Sequence, residues 1–181
     1  MDFPSHVNLP KETREELVEL LNLNLANSID LYLQLKHAHW NVKGVHFVSR
    51  HELFDKLADK LRAQYDTLAE RATQLGGYAE GTARLVSRNT QLPEYQLNIV
   101  DGDEQLAMLT ERYGRYCASL REGISRSGEL EDAATEDLFT ELVREAEMDL
   151  WFLESHLIKA SSKGADRGTT FEAAGATHPS H

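Results

Sequence analysis

The sequence has little of what would cross-link a chain, anchor it in a membrane or bind it to nucleic acid. One cysteine, Cys117, excludes an internal disulfide framework. No stretch approaches the roughly 20 apolar residues that a membrane helix needs. The opening residues, Met1-Asp2-Phe3-Pro4-Ser5, lack a basic segment followed by an apolar run, so no secretory signal is read. Basic residues are outnumbered, 19 Lys and Arg against 30 Asp and Glu, which leaves a net charge of −11. That balance disfavours non-specific binding to nucleic acid and favours attraction of cations. A chain of 181 residues is long enough for one domain with a sizeable core. The expectation is a cytoplasmic protein.

What the chain does have is helical periodicity. After a short tail over 1–10, broken by Pro4 and Pro10, a first helix is expected from Lys11 or Glu12 to about Val42. Glu12, Glu15 and Glu16 fall in its first turns, where the helix dipole favours acids. Leu17, Leu21, Leu25, Ile29 and Leu33 form an apolar row, broadened by Leu20, Leu23, Leu31 and Leu35. So wide an apolar surface asks for burial on more than one side, as an oligomer supplies. Gly44 marks the turn into a second helix, about Phe47 to Leu75, with Phe54, Leu57, Leu61, Leu68 and Leu75 as its stripe. Gly76-Gly77 ends it.

The next stretch, carrying Gly81, Pro93 and Gly102, is long for an unstructured loop, so a short helix is expected around Ala83–Ser87 or Ile99–Gly102. A third helix is expected from about Asp103 to Ser125, with Leu106, Leu109, Tyr113, Tyr116, Leu120 and Ile124 inward. Gly114 and Gly123 count against it on propensity alone. A fourth runs from about Asp132 to Ala160 with Leu138, Leu142, Leu150, Leu153 and Leu157 inward. The helical domain thus spans 11–160. Residues 161–181 turn to Ser, Gly, Ala and Thr, and read as a mobile tail in which Lys163 and Arg167 balance Asp166 and Glu172.

The chemistry concentrates between His39 and Glu70. Three parts of that run can hold metal: His39, a His51/Asp55 pair and an Asp66/Glu70 pair. Both pairs have the i,i+4 spacing that stacks two side chains on one helix face. Imidazole with carboxylate suits iron or zinc. At about 100° per residue, this face lies roughly 145° from the apolar stripe, so the ligands point away from the subunit's own core. Asp55 and Asp66 share nearly the same face but sit about 16 Å apart along the axis. Metal–ligand bonds of about 2.0–2.3 Å cannot bridge that gap. Either these are two half-sites, or a second copy of the helix supplies the missing half. An antiparallel pair about a two-fold axis would set Asp55 of one chain opposite Asp66 of the other. The second reading is preferred, because it gives the acidic face a use.

An acidic pair alone is usually a solvated helix face; the weight lies in five residues on one scheme. Two other motifs fail. His51-Glu52-Leu53-Phe54-Asp55 lacks the second histidine of a zinc protease. No glutamate stands three residues before a histidine, as the inward-facing sites of di-iron bundles require.

His39-Trp40-Asn41, His51-Glu52 with Asp55, Asp66-Thr67-Leu68-Ala69-Glu70-Arg71-Ala72 and Gln74-Leu75-Gly76-Gly77 resemble the Dps family, the DNA-binding proteins from starved cells or miniferritins. The resemblance runs from about Asn8 to Lys159 and includes Leu150-Trp151-Phe152-Leu153-Glu154-Ser155. It implies an all-α, ferritin-like four-helix bundle with a short extra helix in the long connection between helices two and three. It also implies assembly into a hollow homo-dodecamer. There ferrous iron is oxidised, by preference with hydrogen peroxide, at sites shared between subunits, and the ferric mineral is stored, protecting DNA from oxidative damage. By resemblance His39, His51 and Asp55 form one subunit's half of the ferroxidase site, and Asp66 with Glu70 the other's. Asp66, Glu70 and His39 would hold the tighter iron, His51 and Asp55 the weaker.

Asp132 and Asp137 would line an iron-entry pore, although acids in a first helical turn are common anyway. Trp40 is most simply a core or interface aromatic; its family role is to intercept radicals beside the iron. His37 and His46 are read as surface or structural, and His156 as packed or helix-capping. The competing function is DNA compaction in a bacterial, nucleoid-associated protein. Members that bind DNA tend to carry a lysine-rich tail, whereas Lys11 is the only Lys or Arg in residues 1–11 here. DNA binding is therefore expected to be weak or absent at neutral pH. Zinc fits the same ligands as iron and would suppress oxidation.

Overall fold

The computed structural model describes residues 3–158; the tail expected over 161–181 lies outside them. Among these residues there are five helices: α1 Lys11–Asn41, α2 Phe47–Gln74, α3 Ala83–Asn89, α4 Gly102–Glu129 and α5 Ala133–Leu157. The only extended pairing among them is a single bridge between Lys43 and Asp101. The helices make two hairpins, α1 along α2 and α4 along α5, closed chiefly by α1 lying against α4. This is the all-α, ferritin-like four-helix bundle, with α3 as the short extra helix in the long connection. None of the described helices is long and apolar enough to cross a membrane.

Local chemistry sets the ends. Gly44 takes a φ of +107° between α1 and α2, a conformation that a side chain would strain. Gly76, at φ +87°, ends α2. Its carbonyl accepts from the Phe3 amide at 2.7 Å, so the N-terminal arm is docked on the end of that helix. Asp101 caps α4 by accepting from the amides of Asp103 at 2.9 Å and Glu104 at 3.1 Å, which starts the helix at Gly102 rather than Asp103. Asp132 caps α5 through the Ala134 amide.

The expected stripes of α1, α2 and α4 supply most of the core: Leu17, Leu21, Leu25, Phe54, Leu57, Leu61, Leu68, Leu106, Leu109, Tyr113, Tyr116 and Leu120 are buried. α5 differs. Its buried face runs through Phe139, Leu142, Val143, Ala146 and Leu153, while Leu138, Leu150 and Leu157 are only partly buried. The reason lies across the hairpin: a Cβ on Gly123 would stand 2.7 Å from the Phe139 ring. The glycine that weakens α4 by propensity is what lets Phe139 pack against it.

The long connection is strapped across α1. Asn27 Oδ1 accepts from the Gln91 amide at 2.8 Å, Gln34 donates to the Pro93 carbonyl at 3.2 Å, and buried Arg112 donates to the Glu94 carbonyl at 3.1 Å. Apolar surface nevertheless remains outside. Leu33 and Trp40 on α1, and Val45 and Val48 at the turn into α2, are exposed in the single chain.

Candidate metal centre

His39 stands in the last turn of α1 and His51 near the start of α2, and the Gly44 turn brings them together. Their rings stack with centroids 3.7 Å apart and planes 22° from parallel. Each ring is bonded to the other residue's backbone: His39 Nδ1–H donates to the His51 carbonyl and His51 Nδ1–H to the His39 carbonyl, both at 2.8 Å. A carbonyl can only accept, so each ring carries a proton on Nδ1, and in the neutral imidazoles the lone pair is on Nε2. Fixing one nitrogen in this way orients the other for metal.

Asp55 lies one turn after His51, with Oδ1 3.9 Å from His39 Nδ1. Its carboxylate is engaged by the Lys36 ammonium. That hydrogen bond, chiefly, holds the Asp55 carboxyl below its ordinary value; desolvation opposes it, and the nearby His39, Lys36 and His51 charges add to the lowering. Sequence reasoning gave Lys36 no part in the site. The available signal was its place three residues before His39, on the same side of α1.

Asp66 and Glu70 are exposed on the outward side of α2, away from buried Phe54, Leu61 and Leu68. Neither carboxylate has a hydrogen bond or ion pair among the described residues. The adjacent cation, Arg71, is turned to α5, where Nε donates to Thr135 Oγ1 and Nη2 to Asp132 Oδ2, each at 2.9 Å. One chain therefore groups His39, His51 and Asp55 at one place and Asp66 with Glu70 at another. About 16 Å of helix separates the two. Among the described residues no three His, Cys, Asp or Glu side chains converge to hold one ion.

The two acids grouped by sequence as pore residues separate in the structure. Asp137 is exposed. Asp132 is 6% exposed and bound to Arg71 and to the Thr135 hydroxyl. Burial pushes its carboxyl up, but Thr135 and Arg71 together outweigh it and hold the group below its ordinary value. In the single chain Asp132 is a helix cap and ion-pair partner, with no free carboxylate to offer a passing cation.

Trp40 is 62% exposed, so it belongs to no core within one chain, and Lys36 Nζ lies 6.0 Å from its ring centre. His37 packs edge-on against Tyr95 at 4.8 Å. His156 caps the last turn of α5, donating from Nδ1 to the Phe152 carbonyl at 2.7 Å. The Cys117 thiol is buried and pushed up to about 12, which makes it inert as a nucleophile.

Comparison with known proteins bears on the family and the fold. The Ferritin-like domain family matches residues 18–162. The chain is 41% identical to the DNA protection during starvation protein of Agrobacterium fabrum, over 85% of this chain and 95% of that protein. DpsC from Streptomyces coelicolor has a similar structure with a TM-score of 0.83 at 31% identity, covering 89% of this chain and 93% of its own. The DPS protein of Vibrio cholerae, described as a member of a broad superfamily of ferritin-like diiron-carboxylate proteins, has a TM-score of 0.81 at 25% identity, covering 87% and 98%. With its five helices in the ferritin-like fold and 41% identity to such a protein over most of its length, the chain belongs to the Dps family of ferritin-like proteins.

Proposed function

We propose that the protein is a ferroxidase and iron-storage miniferritin, which oxidises ferrous iron with hydrogen peroxide between subunits of a hollow homo-dodecamer and keeps the ferric product inside. The observation that carries this reading is the pairing of His39 with His51, two imidazoles with Nε2 held ready, on a chain whose Asp66 and Glu70 stand outward and unpaired. Asp66 and Glu70 of one subunit, with His39 of the partner subunit, hold the tighter ferrous ion. His51 and Asp55 hold the second, once Asp55 is released from Lys36. Carboxylates dominate the set, which suits a cation that arrives as Fe2+ and leaves as Fe3+. Two ferrous ions each give one electron to a peroxide, whose O–O bond breaks to give two waters after uptake of two protons. Both reagents of hydroxyl-radical chemistry are consumed together, and cytoplasmic DNA is spared. Trp40, exposed beside the site, is placed to intercept stray oxidant. Asp137 is the acid left for an entry pore.

The experiment is anaerobic loading with ferrous ion followed by peroxide or oxygen in separate stopped-flow runs. The reading expects rapid oxidation at two ferrous ions per peroxide, slower oxidation with oxygen, and loss of both in Asp66→Ala/Glu70→Ala. Equal rates in that variant and the parent would refute it. Zinc retained after purification, with oxidation appearing only once it is stripped, would identify zinc as the resident ion.

A further inference from the structure

Apart from the His39/His51 pair, the start of α2, the start of α4 and the end of α5 enclose a cleft of about 400 Å³ lined by His46, Ser49, Arg50, Asp103, His156 and Leu157. Its two charged residues are already committed to each other. Arg50 is nearly buried and ion-paired with Asp103, and it runs so close to Gly102 that a Cβ there would collide with the guanidinium. That wall is fixed and, as a pair, neutral. The rest of the lining is two histidines, a serine and Leu157.

These groups are prepared unequally. The bond from His156 Nδ1–H to the Phe152 carbonyl sets the tautomer and leaves the lone pair on Nε2. The His46 backbone is held by the Ser49 hydroxyl at 3.0 Å and the Arg50 amide at 3.1 Å, both donating to its carbonyl. Its imidazole makes no hydrogen bond or ion pair among the described residues. Ser49, having given its proton to that carbonyl, has only acceptor capacity left. A single exposed histidine is ordinarily a solvated surface group. Here two, from elements remote in sequence, line one cleft, and one of them already has the hydrogen bond that orients metal-binding imidazoles elsewhere.

We propose that this cleft is a second metal site, in which His46 and His156 chelate one borderline divalent cation of the Cu2+, Ni2+ and Zn2+ class, with water in the remaining positions. No three His, Cys, Asp or Glu side chains converge there or anywhere else among the described residues, so the site offers two protein nitrogens rather than a closed cage. Imidazole donors, beside a carboxylate already ion-paired to Arg50, hold Cu2+ above Ni2+ and Zn2+, and all of these above Mg2+ and Fe2+. The selectivity is opposite to that of the carboxylate-rich outward face of α2.

The test is a Cu2+ titration of the full chain against a chelating dye, comparing the parent with His46→Ala, His156→Ala and the double variant. Binding sites common to all four, the His39/His51 pair included, cancel in the comparison. Chelation predicts that either substitution weakens one equivalent of Cu2+ on the order of a hundredfold, because the second ligand acts at a high effective concentration. The double variant then loses no more than either single one. Two independent histidines predict small single losses that add, and that outcome, or four identical titrations, overturns the proposal. Electron paramagnetic resonance gives a second readout: couplings to two imidazole nitrogens in the parent, reduced in either single variant. If the signal is unchanged by both substitutions, the site is wrong. Both side chains are exposed in the single chain, so circular dichroism should show an unchanged fold, and mass is recorded so that the four proteins are compared in the same state of association.

Discussion

Lys36 on α1 and Asp55 on α2 form an ion pair that spans the α1–α2 hairpin beside the stacked histidines. The pair places a protein cation on a carboxylate that the proposed function needs for iron. In the proposed site Lys36 would thereby compete with incoming metal at one half and leave Asp66/Glu70 untouched. Replacing it by an uncharged residue of similar length, Lys36→Met, should tighten Zn2+ or Co2+ binding at the His39/His51/Asp55 half by about 1.5-fold to fivefold, the range of a partly exposed ion pair. Titration in an Asp66→Ala/Glu70→Ala background isolates that half. Unchanged or weaker binding would mean that Lys36 orients Asp55 rather than competing for it.

The separation of Asp55 from Asp66 along α2 leads to a complementation experiment. His39→Ala/His51→Ala and Asp66→Ala/Glu70→Ala assemblies should each oxidise ferrous ion poorly. After co-assembly from denaturant, a mixed dimer has one interface site with every ligand and one with Asp55 alone. Random mixing makes about half of the dimers mixed, so roughly a quarter of parental activity should return. Mixtures shown by mass to contain both chains, yet as inactive as their parents, would place the site within one subunit.

Asp132 and Asp137 should respond differently to the same change. Asp132→Asn should cost about 2 kcal/mol at neutral pH, the scale of a charge-assisted hydrogen bond with its partner left behind. The sign with pH follows from the lowered carboxyl. Its contribution is complete above its ordinary value of 3.8 and is lost as pH falls through the lower folded value, because the unfolded chain takes up the proton first. Thermal unfolding should therefore separate parent and variant at pH 7 and bring them together in strong acid. Asp137→Asn should leave stability unchanged and slow mineral loading at low salt, with the difference fading as salt screens the acid. Equal loading rates at every salt concentration would remove Asp137 from the entry path.

No retardation of plasmid DNA is expected at neutral pH and physiological salt. Residues 3–10 carry no Lys or Arg, and the arm is tied by its backbone to Gly76. Without cations to replace counterions on the duplex, the −11 charge works against contact. Clear retardation at such salt would contradict this, whereas weak binding below about pH 6.5, where the tail histidines His178 and His181 charge, would not.

The fold was legible because its helices are long and their apolar rows regular; Gly44 and Gly76 mark turns for backbone reasons that sequence alone states. Less legible was whatever depends on a partner across the bundle. Gly123 counts as a helix weakness until Phe139 is seen over it, and the inward face of α5 then shifts from Leu138 to Phe139. At the candidate site, i,i+4 spacing paired His51 with Asp55 and Asp66 with Glu70. It was silent on the exchange of hydrogen bonds between His39 and His51, which needs the hairpin closed. Lys36 was missed because its partner lies on another helix, and Asp132 looked like a free acid because neither Arg71 nor burial is visible in an acidic run.

The outward placement of Asp66 and Glu70 also bears on what happens at high dilution. A cation that binds only where two chains meet is a ligand of the associated form, and by mass action it shifts the association equilibrium. At about a hundred times its dissociation constant it would favour that form by roughly 2.7 kcal/mol. Chelators should then loosen assemblies held near their dissociation limit, and metal should tighten them. Oxidation per chain should fall as the protein is diluted, so that the total rate falls faster than linearly with concentration. In the proposed assembly, iron supply and the number of subunits held together are then thermodynamically linked.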